Sequence, residues 1–119
     1  MAYVDGFVIA IKKSKLKKYQ QMSKKASKVW MKYGALEYIE TVGDDLKVKG
    51  VMPFTKLAKT KSGETVVFSW IVYKSKAHRN AVNKKVMADP FMTSFDPKDS
   101  PFEMHKMAYG GFKTIVSVK

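Results

Sequence analysis

Cysteine is absent from the 119 residues of this chain, which rules out disulfide staples, iron–sulfur ligation and thiolate zinc sites. Arginine is nearly absent: Arg79 stands alone among 23 basic residues. Lysine without arginine argues against sequence-specific reading of nucleic acid, because guanidinium forks on guanine and phosphate carry much of that recognition. Acidic residues number only 10, leaving a formal charge of +13. The two histidines, His78 and His105, lie far apart, so no His-based metal site is expected. No apolar run approaches the roughly 20 residues needed to cross a bilayer. The opening "MAYVDGFVIAIKK" carries Asp5 and has no basic residue ahead of its apolar run, unlike a secretory signal. The expectation is a cytoplasmic protein without membrane contact.

What is present is globular: 45% hydrophobic and 13% aromatic residues, enough for one domain, residues 1–119, with its own core. "YVDGFVIAI" (Tyr3 to Ile11) is β-branched and aromatic and predicts a first strand. Ser14 then offers an N-cap to a helix in which Leu16, Tyr19, Met22, Ala26, Val29, Trp30 and Tyr33 recur at three- and four-residue spacing until Gly34. Lys17, Lys18, Lys24, Lys25, Lys28 and Lys32 fill its other face. "ALEYIETV" alternates as a second strand, a short element is expected around Phe54 to Ala58, and Thr65 to Tyr73 predicts a third strand. Ser75 caps a second helix that Asp89-Pro90 breaks. After a Pro/Asp/Ser-rich loop, "KMAYGGFKTIVSV" closes the chain as a fourth strand. Its Gly110-Gly111 signals a bulge or a close backbone approach.

The order β-α-β-β-α-β is the split βαβ arrangement of ferredoxin-like α+β folds, a four-stranded antiparallel sheet with two helices on one face. Strand three conflicts with that sheet standing alone. Val66, Phe68, Trp70 and Val72 point one way, and Val67, Ser69, Ile71 and Tyr73 the other. An antiparallel sheet with one wet face should alternate apolar with polar, and this strand does not. The simplest missing cover is a second copy of the same sheet, giving a twofold homodimer.

The stretch "TVVFSWIVYKSKAHRNAVNKKVMADP", together with "YVDGFV", "VWMKYGALEYIE", "DPKDSPF" and "MAYGGF", closely resembles the YbaA-like bacterial proteins of domain-of-unknown-function family 1428. The resemblance covers nearly the whole chain. It implies the dimeric α+β barrel superfamily, in which two ferredoxin-like subunits pair their sheets, and it implies no particular reaction.

Neither a G-x-S-x-G elbow nor a phosphate-cradling glycine loop is present, since Gly110-Gly111 opens no helix. What remains is a cleft between sheet and helices, where related barrel enzymes, including cofactor-free and haem-degrading monooxygenases, bind aromatic substrates. Asp5 as acceptor or base and His78 as proton carrier or axial ligand are the catalytic candidates. Trp70, Arg79 and Tyr109 are the ligand-binding ones. The residues specify no cofactor. Three readings stay open: a small aromatic or planar ligand bound in a monooxygenase-like cleft, a basic module binding nucleic acid without sequence preference, and a dimer with a purely structural role.

Overall fold

The computed structural model describes residues 2–119. Strand β1 (Tyr3–Lys12) leads through a 3-10 turn at Lys13–Lys15 into helix α1 (Leu16–Lys32), followed by β2 (Glu37–Val42), a one-turn α2 (Phe54–Leu57), β3 (Glu64–Tyr73), α3 (Lys76–Ala88), a short α4 (Pro90–Thr93) and β4 (Met107–Lys113). The strands form one antiparallel sheet in the order β2-β3-β1-β4. This is the expected ferredoxin-like α+β arrangement. Among the described residues, no helix is long and apolar enough to cross a membrane.

Local signals set most boundaries. Gly34 ends α1 with φ of 111°, a conformation that a residue with a Cβ enters at a cost. Ser75 caps α3, its hydroxyl accepting the N–H of His78 at 3.1 Å. Ser14 does not act as the expected cap. The N–H of Lys13 is held by the Gly63 carbonyl at 2.9 Å, Lys13–Lys15 form a 3-10 turn, and α1 starts at Leu16, one residue later than a Ser14 cap would set it, without a side-chain cap. Asp89 ends α3 and starts α4, accepting the N–H of Phe91 at 2.9 Å and the hydroxyl of Tyr33 at 2.7 Å.

The register of β4 answers the glycine question. Tyr3 to Ile9 pair one-to-one with Lys113 to Met107, so there is no bulge. The glycines mark a close approach: a Cβ on Gly111 would collide with the Tyr3 hydroxyl and the Arg79 guanidinium.

Sheet register also decides which residues face the helices. Asp5 lies opposite Ile71, which lies opposite Tyr38; Phe7 lies opposite Ser69, which lies opposite Glu40. These residues share the helix side. The core there is split in two. One cluster gathers Ala35, Ile71, Tyr73, Val82 and Val86, and the other Ile9, Ile11, Tyr19 and Val67. The opposite side carries Val4, Val8, Phe68, Trp70 and Val72. The segment bearing α2 folds onto one end of that side, with Phe54 5.9 Å from Phe68 between ring centroids. Phe68 nevertheless stays 44% exposed and Phe112 62%.

Candidate functional site

A cavity of about 360 Å³ separates the two core clusters. Its floor is the sheet, with Phe7, Ile9, Ser69 and Ile71. One wall is α1, through Met22, Ser23, Ala26 and Trp30. The rest comes from α3 and the segment after it, where Met87, Phe91, Met92, Phe95, Phe102 and Met104 converge. That segment is tied down at both ends: Asp89 holds its start, and at its far end the Lys106 ammonium pairs with Glu64 on β3.

Asp5 sits on the cavity wall and is 1% exposed. Burial raises its carboxyl above the ordinary aspartate range, against the opposing pull of the Arg79 guanidinium. Arg79 Nε lies 3.3 Å from Asp5 Oδ1, yet the two atoms are out of line. Neither has a hydrogen-bond partner among the described residues. Arg79 is itself positioned by Tyr3, stacking 5.1 Å above the ring and donating from Nη2 to the hydroxyl at 3.2 Å. Tyr109 lines the cavity beside Asp5 and stacks on Phe7 at 4.9 Å. Burial and the nearby Asp5 charge both raise its phenol.

Asn83 completes this end. Its Oδ1 accepts from Trp30 Nε1 at 3.3 Å and from the Tyr73 hydroxyl at 3.2 Å, which leaves the amide nitrogen for Asp5. Sequence reasoning missed Asn83, although it falls one turn after Arg79 on α3 and so had to share its face. A second polar end lies toward β2. Glu40 accepts the Tyr19 hydroxyl at 2.7 Å on Oε1 and the Tyr38 hydroxyl at 2.8 Å on Oε2. Burial, reinforced by the Glu40 charge, pushes both phenols well above their usual range. The visible signal was Tyr38 and Glu40 spaced two apart in a strand, hence on one face.

Of the five residues singled out from sequence, Asp5, Arg79 and Tyr109 come together; Trp70 and His78 do not join them. Trp70 is opposite Gly6 and projects from the other side of the sheet, 5.5 Å from Phe68 between centroids, with Nε1 donating to Glu37 at 3.0 Å. Trp70 thus borders the cavity from its place on the floor strand, while its indole projects to the other side of the sheet. His78 starts α3, where Nδ1 accepts the N–H of Lys74 at 3.0 Å and Nε2 turns toward Gly34. It is absent from the cavity lining. An axial role for His78 on a haem in this cavity does not fit that placement. Among the described residues, no group of three or more His, Asp or Glu is arranged to hold a metal ion.

Residues 2–104 match the family described as Protein of unknown function (DUF1428). The chain belongs to the DUF1428 family. It is 41% identical over 116 residues to the uncharacterized protein YbaA of Escherichia coli (strain K12), covering 98% of each chain, and equally so to the YbaA of Shigella flexneri. Among solved structures, this DUF1428 chain resembles a dimeric ferredoxin-like protein from an uncultured marine organism, with TM-score 0.60 and 15% identity over 99% of this chain and 100% of that one. It also resembles an uncharacterized NIPSNAP domain protein from Burkholderia xenovorans, with TM-score 0.58 and 14% identity over 98% of each. At such identities these two likenesses speak for the DUF1428 fold alone.

Proposed function

We propose that this protein binds a small, planar, largely aromatic molecule in the cavity between sheet and helices, with Asp5 accepting a hydrogen bond or a proton from it. The observation that carries this reading is the Asp5 side chain, 1% exposed on the cavity wall, whose Oδ1 lies 3.3 Å from Arg79 Nε without making a hydrogen bond. A buried carboxylate short of hydrogen bonds costs on the order of 1–3 kcal/mol, and a ligand hydroxyl reaching the carboxylate from the cavity would offset part of that cost. The raised affinity of Asp5 for its proton suits it to the role of base. Five of the eight methionines, Met22, Met87, Met92, Met104 and Met107, line the cavity. Their thioethers conform readily to flat rings and make favourable contacts with them. In the monooxygenase-like form of this reading, the deprotonated ligand is the species that would meet dioxygen.

The functional unit in this proposal is a cytoplasmic homodimer joined through the sheet side that carries Phe68 and Trp70. The exposed apolar residues there support it, as does the description of the marine neighbour as dimeric. The test is fluorescence with β-naphthol. Trp30 lines the cavity, and Trp70 projects from the far side, so a Trp70→Phe variant leaves Trp30 as reporter. Saturable quenching that Asp5→Ala weakens is the expected result, and no saturable change up to millimolar ligand would overturn the reading.

A further inference from the structure

We infer that the ligand of this cavity is neutral and carries a hydrogen-bond donor at each end, as a dihydroxyarene does. The inference rests on the binding role proposed above and extends it to the class of ligand. It comes from what the two polar ends of the cavity have left to offer.

At one end, Trp30 and Tyr73 have already given their protons to Asn83. Arg79 directs Nη2 to Tyr3 and is not among the lining residues. Asp5 and the Tyr109 phenol line the cavity at this end. At the other end, both tyrosine protons are committed to Glu40, so Tyr19 and Tyr38 present oxygen lone pairs and Glu40 its remaining ones. Each end therefore centres on a carboxylate acceptor, Asp5 at one and Glu40 at the other, flanked by the hydroxyls of Tyr109 and Ser69. None of the described lining residues is lysine, arginine or histidine, although the chain carries a charge of +13. A carboxylate or phosphate ligand would meet two carboxylates, of which only Asp5 has a cation behind it, Arg79 at 3.3 Å, and Glu40 would repel it at a Coulombic penalty that an apolar cavity magnifies.

The spacing fits a ring system of two rings. Asp5 and Glu40 are separated by two inter-strand steps and two residues along the strand, about 12 Å between backbones from standard sheet dimensions. A naphthalene bearing hydroxyls at opposite ends, with a hydrogen bond at each, spans about that distance.

Isothermal titration calorimetry with three probes of one shape tests the inference: β-naphthol, the naphthalenediol with hydroxyls at opposite ends, and the matching dicarboxylate. The diol is expected to bind roughly tenfold more tightly than β-naphthol, the worth of one further buried hydrogen bond, and the dicarboxylate more weakly than either. Glu40→Gln supplies an amide donor at the second end. It should erase the diol's advantage and transfer it to the monomethyl ether of the diol, a shift that a merely structural role for Glu40 would not produce. Should Glu40→Gln fail to fold, Tyr19→Phe removes one acceptor and should reduce the diol's advantage alone. Equal affinity for naphthol and diol, or preference for the dicarboxylate, overturns the inference while leaving the binding role intact. Failure of all three probes to bind overturns the binding role itself.

Discussion

Asp5 and Arg79 stand 3.3 Å apart, Oδ1 to Nε, as an ion pair whose two nearest atoms make no hydrogen bond, to each other or to any other described residue. The pair is close enough to feel its charge and too misaligned to satisfy it. For Asp5, burial outweighs the attraction, and its pKa rises.

That rise has a definite sign in stability. The folded state holds the Asp5 proton more tightly than the unfolded chain does, so this contribution is present at low pH. It is lost as pH climbs from the ordinary value of 3.8 through the higher folded one. Asp5→Asn removes the titration. Urea unfolding as a function of pH should show the wild type losing stability relative to the variant across that window. Parallel stability curves would show that Asp5 titrates alike in both states.

Acidity acts in the opposite sense at the two ends of the segment covering the cavity. The Lys106 ammonium holds Glu64 below its usual range, and the Tyr33 hydroxyl does the same for Asp89. Their stabilisation is present above the ordinary carboxylate values and is lost as pH falls through the lower folded ones. Limited proteolysis between Asp89 and Lys106 should therefore accelerate with an acid-active protease as pH drops below about 4, and Lys106→Ala should bring cleavage at higher pH. Cleavage that spares this segment in the variant would contradict the clasp.

Much of the fold was legible because it rests on local chemistry. The hydrophobic periods of β1, α1 and β3, the Ser75 cap and the Asp89-Pro90 break all act within a few residues. The two faces of β3 were legible too, with Trp70 grouped with Phe68 and Ile71 with Tyr73. What the pattern lacked was register across strands. Asp5 lies on the helix side because it stands opposite Ile71, and that pairing is long-range. Without it, Trp70 was placed in the cleft when its side chain belongs to the other side. Glu40 and Asn83 carried local signals, Tyr38 two residues away and Arg79 one turn away, but each also has a partner distant in the chain, Tyr19 for the first and Trp30 for the second, that no local pattern supplies.

The glycine pair in β4 yields a contrast between neighbours. A methyl on Gly110 would find Phe112 ring atoms at 3.8 Å, ordinary contact, whereas one on Gly111 would overlap the Tyr3 hydroxyl and the Arg79 guanidinium. Gly111→Ala is expected to cost about 1–3 kcal/mol, as overpacking does, and Gly110→Ala to stay within about 0.5 kcal/mol. Thermal melts of the two variants check this. Because Arg79 backs Asp5, Gly111→Ala should also weaken β-naphthol binding, and equal behaviour of the two variants would remove the crowding argument.

Lys17, Lys18, Lys24, Lys25, Lys28 and Lys32 are exposed along α1. A stripe of point charges without arginine attracts any polyanion through counterion release. Fluorescence anisotropy with two unrelated DNA duplexes should give equal affinities at low salt that fall steeply and together by physiological salt. Selectivity for one duplex that persists at physiological salt would point to a nucleic-acid reading beyond charge.

The side of the sheet that the helices leave bare is apolar enough to set the assembly state. Ile71 and Val67 turn toward the helices, so a charge placed there would test the core of one subunit. Phe68, Trp70 and Val72 turn the other way, joined by Val4 and Val8 on β1 and by Phe112 on β4. Apolar side chains this large seldom stay in water as a contiguous patch without a partner, and a closed twofold pairing is the commonest way for one kind of chain to cover such a surface. Light scattering is expected to give twice the 13.5 kDa chain mass. Phe68→Asp should convert that species to a monomer, because burying an unpaired carboxylate between two sheets costs several kcal/mol, on the order of 3 or more. Should that variant fail to fold, Phe112→Asp, on the most exposed part of the patch, makes the same test with less intrusion into β3. A wild-type monomer at micromolar concentration, or a dimer that tolerates both charges, would place the interface elsewhere.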